Sequence, residues 1–208
     1  MKNITNKRIE RATQPGLWDF GNKVLYDLCK NHPKHDDSGL IIAKIWLIGR
    51  SYAAAIERRR ANLDKPGDDF YISKVAPAIL GSDIDKWLEP LNRTGEITTN
   101  NIHEVLKIHS NLTNVFHSIT GLEKRSLASK YLHFHHPNLF FIYDSRAQRA
   151  ISQLSHYLGR AKRAENDVDQ DYWKFTQKCI ALRAFIGKEY SFNLTPRQLD
   201  NLLLEISG

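Results

Sequence analysis

Residues Ile119 to Arg149 read ITGLEKRSLASKYLHFHHPNLFFIYDSRAQR. Helical spacing in this stretch is cut by several breaks. Thr120-Gly121 closes one helix, as a glycine just past the last periodic residue does. A tight basic turn, Glu123-Lys124-Arg125, leads into a second helix from Ser126 to about His135. Pro137-Asn138 interrupts again, and the apolar run Phe140-Phe-Ile-Tyr143 follows. Asp144 or Ser145 then opens a further helix reaching Leu158. A chain built this way is a set of helices joined by short corners.

The same spacing extends outward on both sides. Trp18, Leu25, Leu28 and Cys29 fall on one helical face. Ser38 to about Asn62 reads as a long helix, apolar on all sides through Leu40, Ile41, Ile45, Trp46, Leu47 and Ile48, hence central and buried. It ends in Glu57-Arg-Arg-Arg60, followed by a turn-rich linker at Asp64-Lys-Pro-Gly-Asp-Asp69. Ser82 with Asp85, and Asn101 with Glu104, have the spacing of helix starts. Tyr172, Phe175, Cys179, Leu182 and Ile186 continue the periodicity. Thr195-Pro-Arg-Gln198 combines a cap, a proline in the first turn and a glutamine three residues on. About nine helices result, with almost no strand signal. The expected fold is a single all-α domain of two lobes, one from residues 1–100 plus 165–208 and one from 101–164.

The 208 residues are ample for a hydrophobic core. Apolar residues make up 41% and aromatics 10%, which argues against intrinsic disorder. Two cysteines, Cys29 and Cys179, exclude a disulfide framework and a cysteine-held cluster, and two reduced core thiols are expected. No apolar run approaches the ~20 residues of a membrane span, and the polar start lacks a signal-peptide core. The reading is a cytoplasmic monomer with no membrane partner. Thirty basic against 23 acidic residues leave a net charge of +7, which favours a polyanionic partner, most simply nucleic acid.

The chemistry lies in the same stretch. Two helices joined by a tight basic turn present backbone N–H groups to an anion, with Gly121, Lys124, Arg125 and Ser126 beside them. The same residues also suit an ordinary helical corner. Asp144 is a good helix cap. A carboxylate at the mouth of an apolar pocket also stabilises a cationic sugar or orients water. Tyr143 could stack on a base, and Trp46, Arg50 and Tyr52 are further candidates for a base pocket. Lys130, Arg146 and Arg149 add positive charge. Arg160, Lys162 and Arg163 suit contacts to a nucleic acid backbone, but a solvated charge run is the simpler reading. His133, His135 and His136 have poor spacing for a metal, and no metal or cofactor is expected.

The segment resembles the helix-hairpin-helix DNA glycosylase superfamily. Gly121-Leu122 would be the hairpin, Ser126-Leu-Ala128 the following helix start, and Phe141-Ile-Tyr-Asp144 the apolar run ending in the catalytic Asp. The second hairpin glycine is replaced by Glu123. Ser126 stands where lyase-active members carry a lysine, although a shifted alignment would put Lys124 or Lys130 there. The resemblance therefore implies a monofunctional N-glycosylase acting on double-stranded DNA with a modified or damaged base. A looser resemblance, carried by ASKYLHFHHPNLFFIYDSR and TPRQLD, is to small bacterial proteins of the 8-oxoguanine glycosylase fold. Some such glycosylases remove glucosylated hydroxymethylcytosine from phage DNA as a defence. The alternative is a helical DNA- or RNA-binding module without catalysis.

Overall fold

The computed structural model of the chain describes residues 4–58 and 69–208. Among these residues there are ten α-helices and no strand. They are α1 (Asn6–Thr13), α2 (Asp19–Asn31), α3 (Ser38–Ser51), α4 (Ala76–Leu80), α5 (Ile84–Leu88), α6 (Ile102–Thr120), α7 (Arg125–His135), α8 (Ser145–Leu154), α9 (Gln170–Tyr190) and α10 (Pro196–Ser207). A π-helical turn, Tyr71–Val75, leads into α4, and a 3₁₀ turn, Glu89–Arg93, follows α5. No described helix is long and apolar enough to cross a membrane.

One apolar core runs through the molecule. It takes Ile41, Ile45 and Ile48 from α3, Leu112 and Phe116 from α6, Tyr131 and Phe134 from α7, and Leu199, Leu202 and Leu203 from α10. The helix α7 packs on α2, α3 and α6, while α10 packs on both α1 and α8. The last helix thus joins the start of the chain to the helix that follows Asp144. Cys29 and Cys179 are free and buried.

Several helix ends follow their sequence signals. Gly121 closes α6 in the left-handed region at φ 68°, the conformation a glycine adopts without steric cost. Thr195 and Gln198 form a reciprocal capping box on α10.

Other ends differ. α3 stops at Ser51 rather than near Asn62, because Ala53 turns left-handed at φ 51° and the Ala54 N–H donates back to the Gly49 carbonyl at 2.7 Å. Residues 59–68, which include the predicted basic helix end and linker, lie outside the described residues. Ser82 does not cap α5: its hydroxyl donates to the Ile79 carbonyl, closing α4. Asp85 instead accepts from the His35 ring and backbone N–H. Asn101 accepts from the Thr98 N–H rather than from the first turn of α6. α8 ends at Leu154, short of Leu158. Trp18 precedes α2 and is 82% exposed, so it leaves the buried face formed by Leu25 and Cys29. Lys44, in the middle of α3, is fully buried and donates to the Lys34 carbonyl at 2.9 Å.

Candidate active site

Asp144 caps α8. Its Oδ1 accepts from the backbone N–H groups of Arg146 and Ala147, both at 3.0 Å. Its Oδ2 receives a third donor, Lys130 Nζ, at 3.3 Å. Lys130 comes from the middle of α7 and is fully buried, and it also reaches Ser126 Oγ at 2.7 Å and the Tyr143 carbonyl at 3.3 Å. Burial lowers the Lys130 pKa, since a dry site disfavours the ammonium, and the Asp144 charge opposes the shift. Ser129 Oγ accepts from the Tyr143 N–H, so α7 fixes both residues that precede α8.

Asp144 lies on the wall of a cleft of about 770 Å³. Tyr52 follows α3, Tyr143 precedes α8, Ser126 lies in the first turn of α7, and Arg197 and Asp200 come from α10; all line this space. Tyr52 donates its hydroxyl to Asn22 Oδ1 at 2.7 Å. Lys130 Nζ and the Arg197 guanidinium each lie 5.9 Å from the Tyr52 ring centre, within the range of cation–π attraction.

Asp200 is the second carboxylate of the cleft. It is buried, and its Oδ2 accepts from Arg197 at 2.7 Å while its Oδ1 has no partner. Burial pushes its pKa up to about 6; the Asp144 charge adds to this and Arg197 opposes it. Two carboxyl groups on one cleft wall therefore have different environments. One is half-exposed and held by three donors. The other is buried, and that burial raises its pKa above the ordinary carboxylate value.

The cleft thus gathers Asp144, Tyr52, Tyr143, Ser126 and Arg146 from the residues predicted from sequence. Trp46 and Arg50 do not line it: Trp46 is exposed on α3, and Arg50 pairs with Glu57. The basic turn is largely engaged within the protein. Lys124 Nζ donates to the Arg58 carbonyl, and Arg125 pairs with Asp169 and Asp171. Lys130, as a buried group behind Asp144, is not presented to a phosphate. Gly121 serves as the cap of α6, and Arg149 is exposed on α8 outside the cleft lining. His133 uses both ring nitrogens, on the Phe140 carbonyl at 2.8 Å and the Tyr26 hydroxyl at 2.7 Å, so it packs rather than ligates.

Sequence reasoning missed Trp18, Asn22, Arg197 and Asp200. The signal available for the last two was the TPRQLD segment, which sets Arg197 and Asp200 one helical turn apart behind a strong cap. One group of potential metal ligands occurs among the described residues, His103, Glu165 and Asp167, and there the Lys107 ammonium lies 2.9 Å from Asp167. Hydrogen bonds from Lys107 and His103 hold the Asp167 pKa down to about 2.

Among the described residues, the fold and the site define an all-helical arrangement with a cleft lined by two carboxyl groups in different environments. No protein-family model, curated protein or solved structure matches the chain, so the geometry of this cleft carries the functional reading.

Proposed function

We propose that the chain is a monofunctional DNA N-glycosylase of helix-hairpin-helix type that extrudes a modified base and hydrolyses its bond to the sugar. The observation that carries this reading is Asp144, a carboxylate fixed by three donors on the wall of a cleft that also has two tyrosines. A cleft of about 770 Å³ falls within the range of small-ligand sites and accommodates a nucleoside with a bulky substituent. In this reading α6, the Gly121 turn and α7 form the hairpin, residues 101–164 form one lobe, and residues 1–100 with 165–208 form the other. The partner is double-stranded DNA and the protein acts as a monomer.

The flipped nucleotide enters with its base against Tyr52 and Tyr143. The C1′–N bond breaks and its electron pair leaves with the base. Asp144 stabilises the positive charge that develops on the sugar. Asp200 gives its proton to the departing base nitrogen. Water forms the new C1′–O bond and releases its proton to solvent, leaving a free base and an abasic site. Lys130 is not part of the cleft lining, which supports hydrolysis without a lysine–sugar adduct. Trp18, strongly exposed, lines the cleft just before α2, where an apolar side chain would fill the gap left by an extruded base.

The test is base release. Wild type and Asp144→Asn are incubated with duplexes carrying uracil, an alkylated purine, 8-oxoguanine or glucosylated hydroxymethylcytosine, then treated with hot alkali to break abasic sites. Asparagine caps helices as well as aspartate does, so the variant should fold. Strand breaks that fall by about 100-fold or more in the variant are expected, the scale of losing one transition-state contact. Full turnover by Asp144→Asn would overturn the mechanism. DNA binding with no release from any substrate would favour the non-catalytic module.

A further inference from the structure

A second, larger cavity of about 1220 Å³ lies on the other side of Tyr143 and Gln148, which line both spaces. Its rim carries five cations: Arg160, Lys162 and Arg163 from the segment after α8, and Lys174 and Lys178 from α9. One carboxylate, Asp171, shares the lining, and it is paired with Arg125. None of the five cations forms an ion pair among the described residues.

The arrangement works against the stability of the isolated protein. Lys174 and Lys178 are an i,i+4 pair of like charges, which is unfavourable on a helix, and they face three more cations across the groove. Yet the 160–163 segment is held in place. The Lys162 N–H donates to Gln177 Oε1 at 2.8 Å, Trp173 Nε1 donates to the Lys162 carbonyl at 2.9 Å, and the Ala164 N–H donates to Gln170 Oε1 at 3.2 Å. The backbone is pinned to α9 while the cationic side chains stay available. Sequence alone favours a solvated run over backbone contacts for Arg160, Lys162 and Arg163, because Lys174 and Lys178 join them only through the fold.

We infer that this groove carries the phosphodiester backbone of the nucleic acid strand whose nucleotide occupies the Asp144 cleft. The assignment of that strand rests on the proposed glycosylase reading. The charge complementarity of the groove does not. It also accounts for a basic protein whose hairpin cations, Lys124 and Arg125, are already engaged within the protein.

The experiment is a fluorescence anisotropy titration with a labelled oligonucleotide, repeated across a salt series. It compares wild type, a groove variant (Arg160→Ser, Lys162→Ser, Lys174→Ser, Lys178→Ser) and a control of equal charge (Lys7→Ser, Lys30→Ser, Lys86→Ser, Lys188→Ser). Each phosphate contact adds about 0.7–0.9 to the slope of log affinity against log salt. The groove variant should therefore flatten the slope by about 3 and lose at least tenfold in affinity near 0.1 M salt, while the control changes neither by much. Equal losses in both variants, an unchanged slope in the groove variant, or no binding by wild type would each overturn the proposal. Base release with Asp144→Asn reads the glycosylase separately. Release that needs Asp144 beside an unchanged slope removes the groove alone, and a flattened slope without release removes the glycosylase alone.

Discussion

At the scale of single residues, the unequal environments of Asp144 and Asp200 make a prediction in pH. Asp200 is protonated below about 6 and loses its proton as pH rises through that value. If it supplies the proton to the leaving base, single-turnover base release by wild type should fall above about pH 6. Asp200→Asn has no proton to lose, so its rate should start lower, by about 10²- to 10⁴-fold, and show no such decline. An alkaline limb that persists unchanged in Asp200→Asn would remove the residue from the reaction. Lys130 gives a second test. Its amine is buried behind Asp144, so borohydride treatment during turnover should trap no protein–DNA adduct. A trapped adduct lost in Lys130→Met would make the protein a lyase instead. Asp144 was legible in the sequence because a carboxylate after an apolar run opens a helix. Lys130 was legible only as a charge. Its contact with Asp144 depends on how α7 packs against the apolar run before α8, which no local pattern records.

At the scale of elements, the helix ends show why some boundaries could be read and others could not. Thr195, Gly121 and Pro137 act through their own backbone or side chain within a few residues, so their effect is local. The end of α3 depends on Ala53 adopting φ 51°, a conformation that alanine does not favour and that its neighbours impose. Ser82 with Asp85 has the spacing of a capping pair, but Asp85 is drawn to His35, 50 residues away. Asp169 was overlooked, yet it caps α9 through the Asp171 and Tyr172 N–H groups and also holds Arg125. The best-defined cap makes the cleanest prediction. Thr195→Ala removes the bond to the Gln198 N–H and should cost about 1 kcal/mol in urea unfolding. Because α10 carries Arg197 and Asp200 into the cleft, base release should weaken at temperatures well below the global melt. An unchanged unfolding midpoint would mean that the packing of Leu199 and Leu202, and not the cap, holds the start of α10.

At the scale of the whole molecule, burial holds a set of histidines neutral, which ties stability to pH. His109 stacks on Tyr172 with ring centres 3.8 Å apart, and its Nε2 donates to the Arg125 carbonyl at 3.3 Å, leaving Nδ1 without a proton or partner. Burial lowers the pKa of His109 and of His133 to about 4, and also lowers those of His35, His135 and His136. In the unfolded chain these rings bind protons below about pH 6.5. Between about 6.5 and 4 the unfolded state therefore holds more protons, and stability falls as pH falls. Asp200 acts in the opposite sense. Its raised pKa stabilises the fold below the unfolded value of 3.8, and that contribution is lost as pH rises to about 6. The buried histidines together outweigh the single carboxyl, so net stability falls as pH falls between about 6 and 4. Urea unfolding at pH 7.5, 6 and 5 should show a midpoint that drops steeply below about 6.5. His133→Asn, which keeps a donor near the Phe140 carbonyl, should flatten that drop by roughly one proton's worth. A midpoint independent of pH over this range would mean that these rings take up protons in the folded state. The buried helix crossings of α6, α7 and α9 would then be more open to water than their packing indicates.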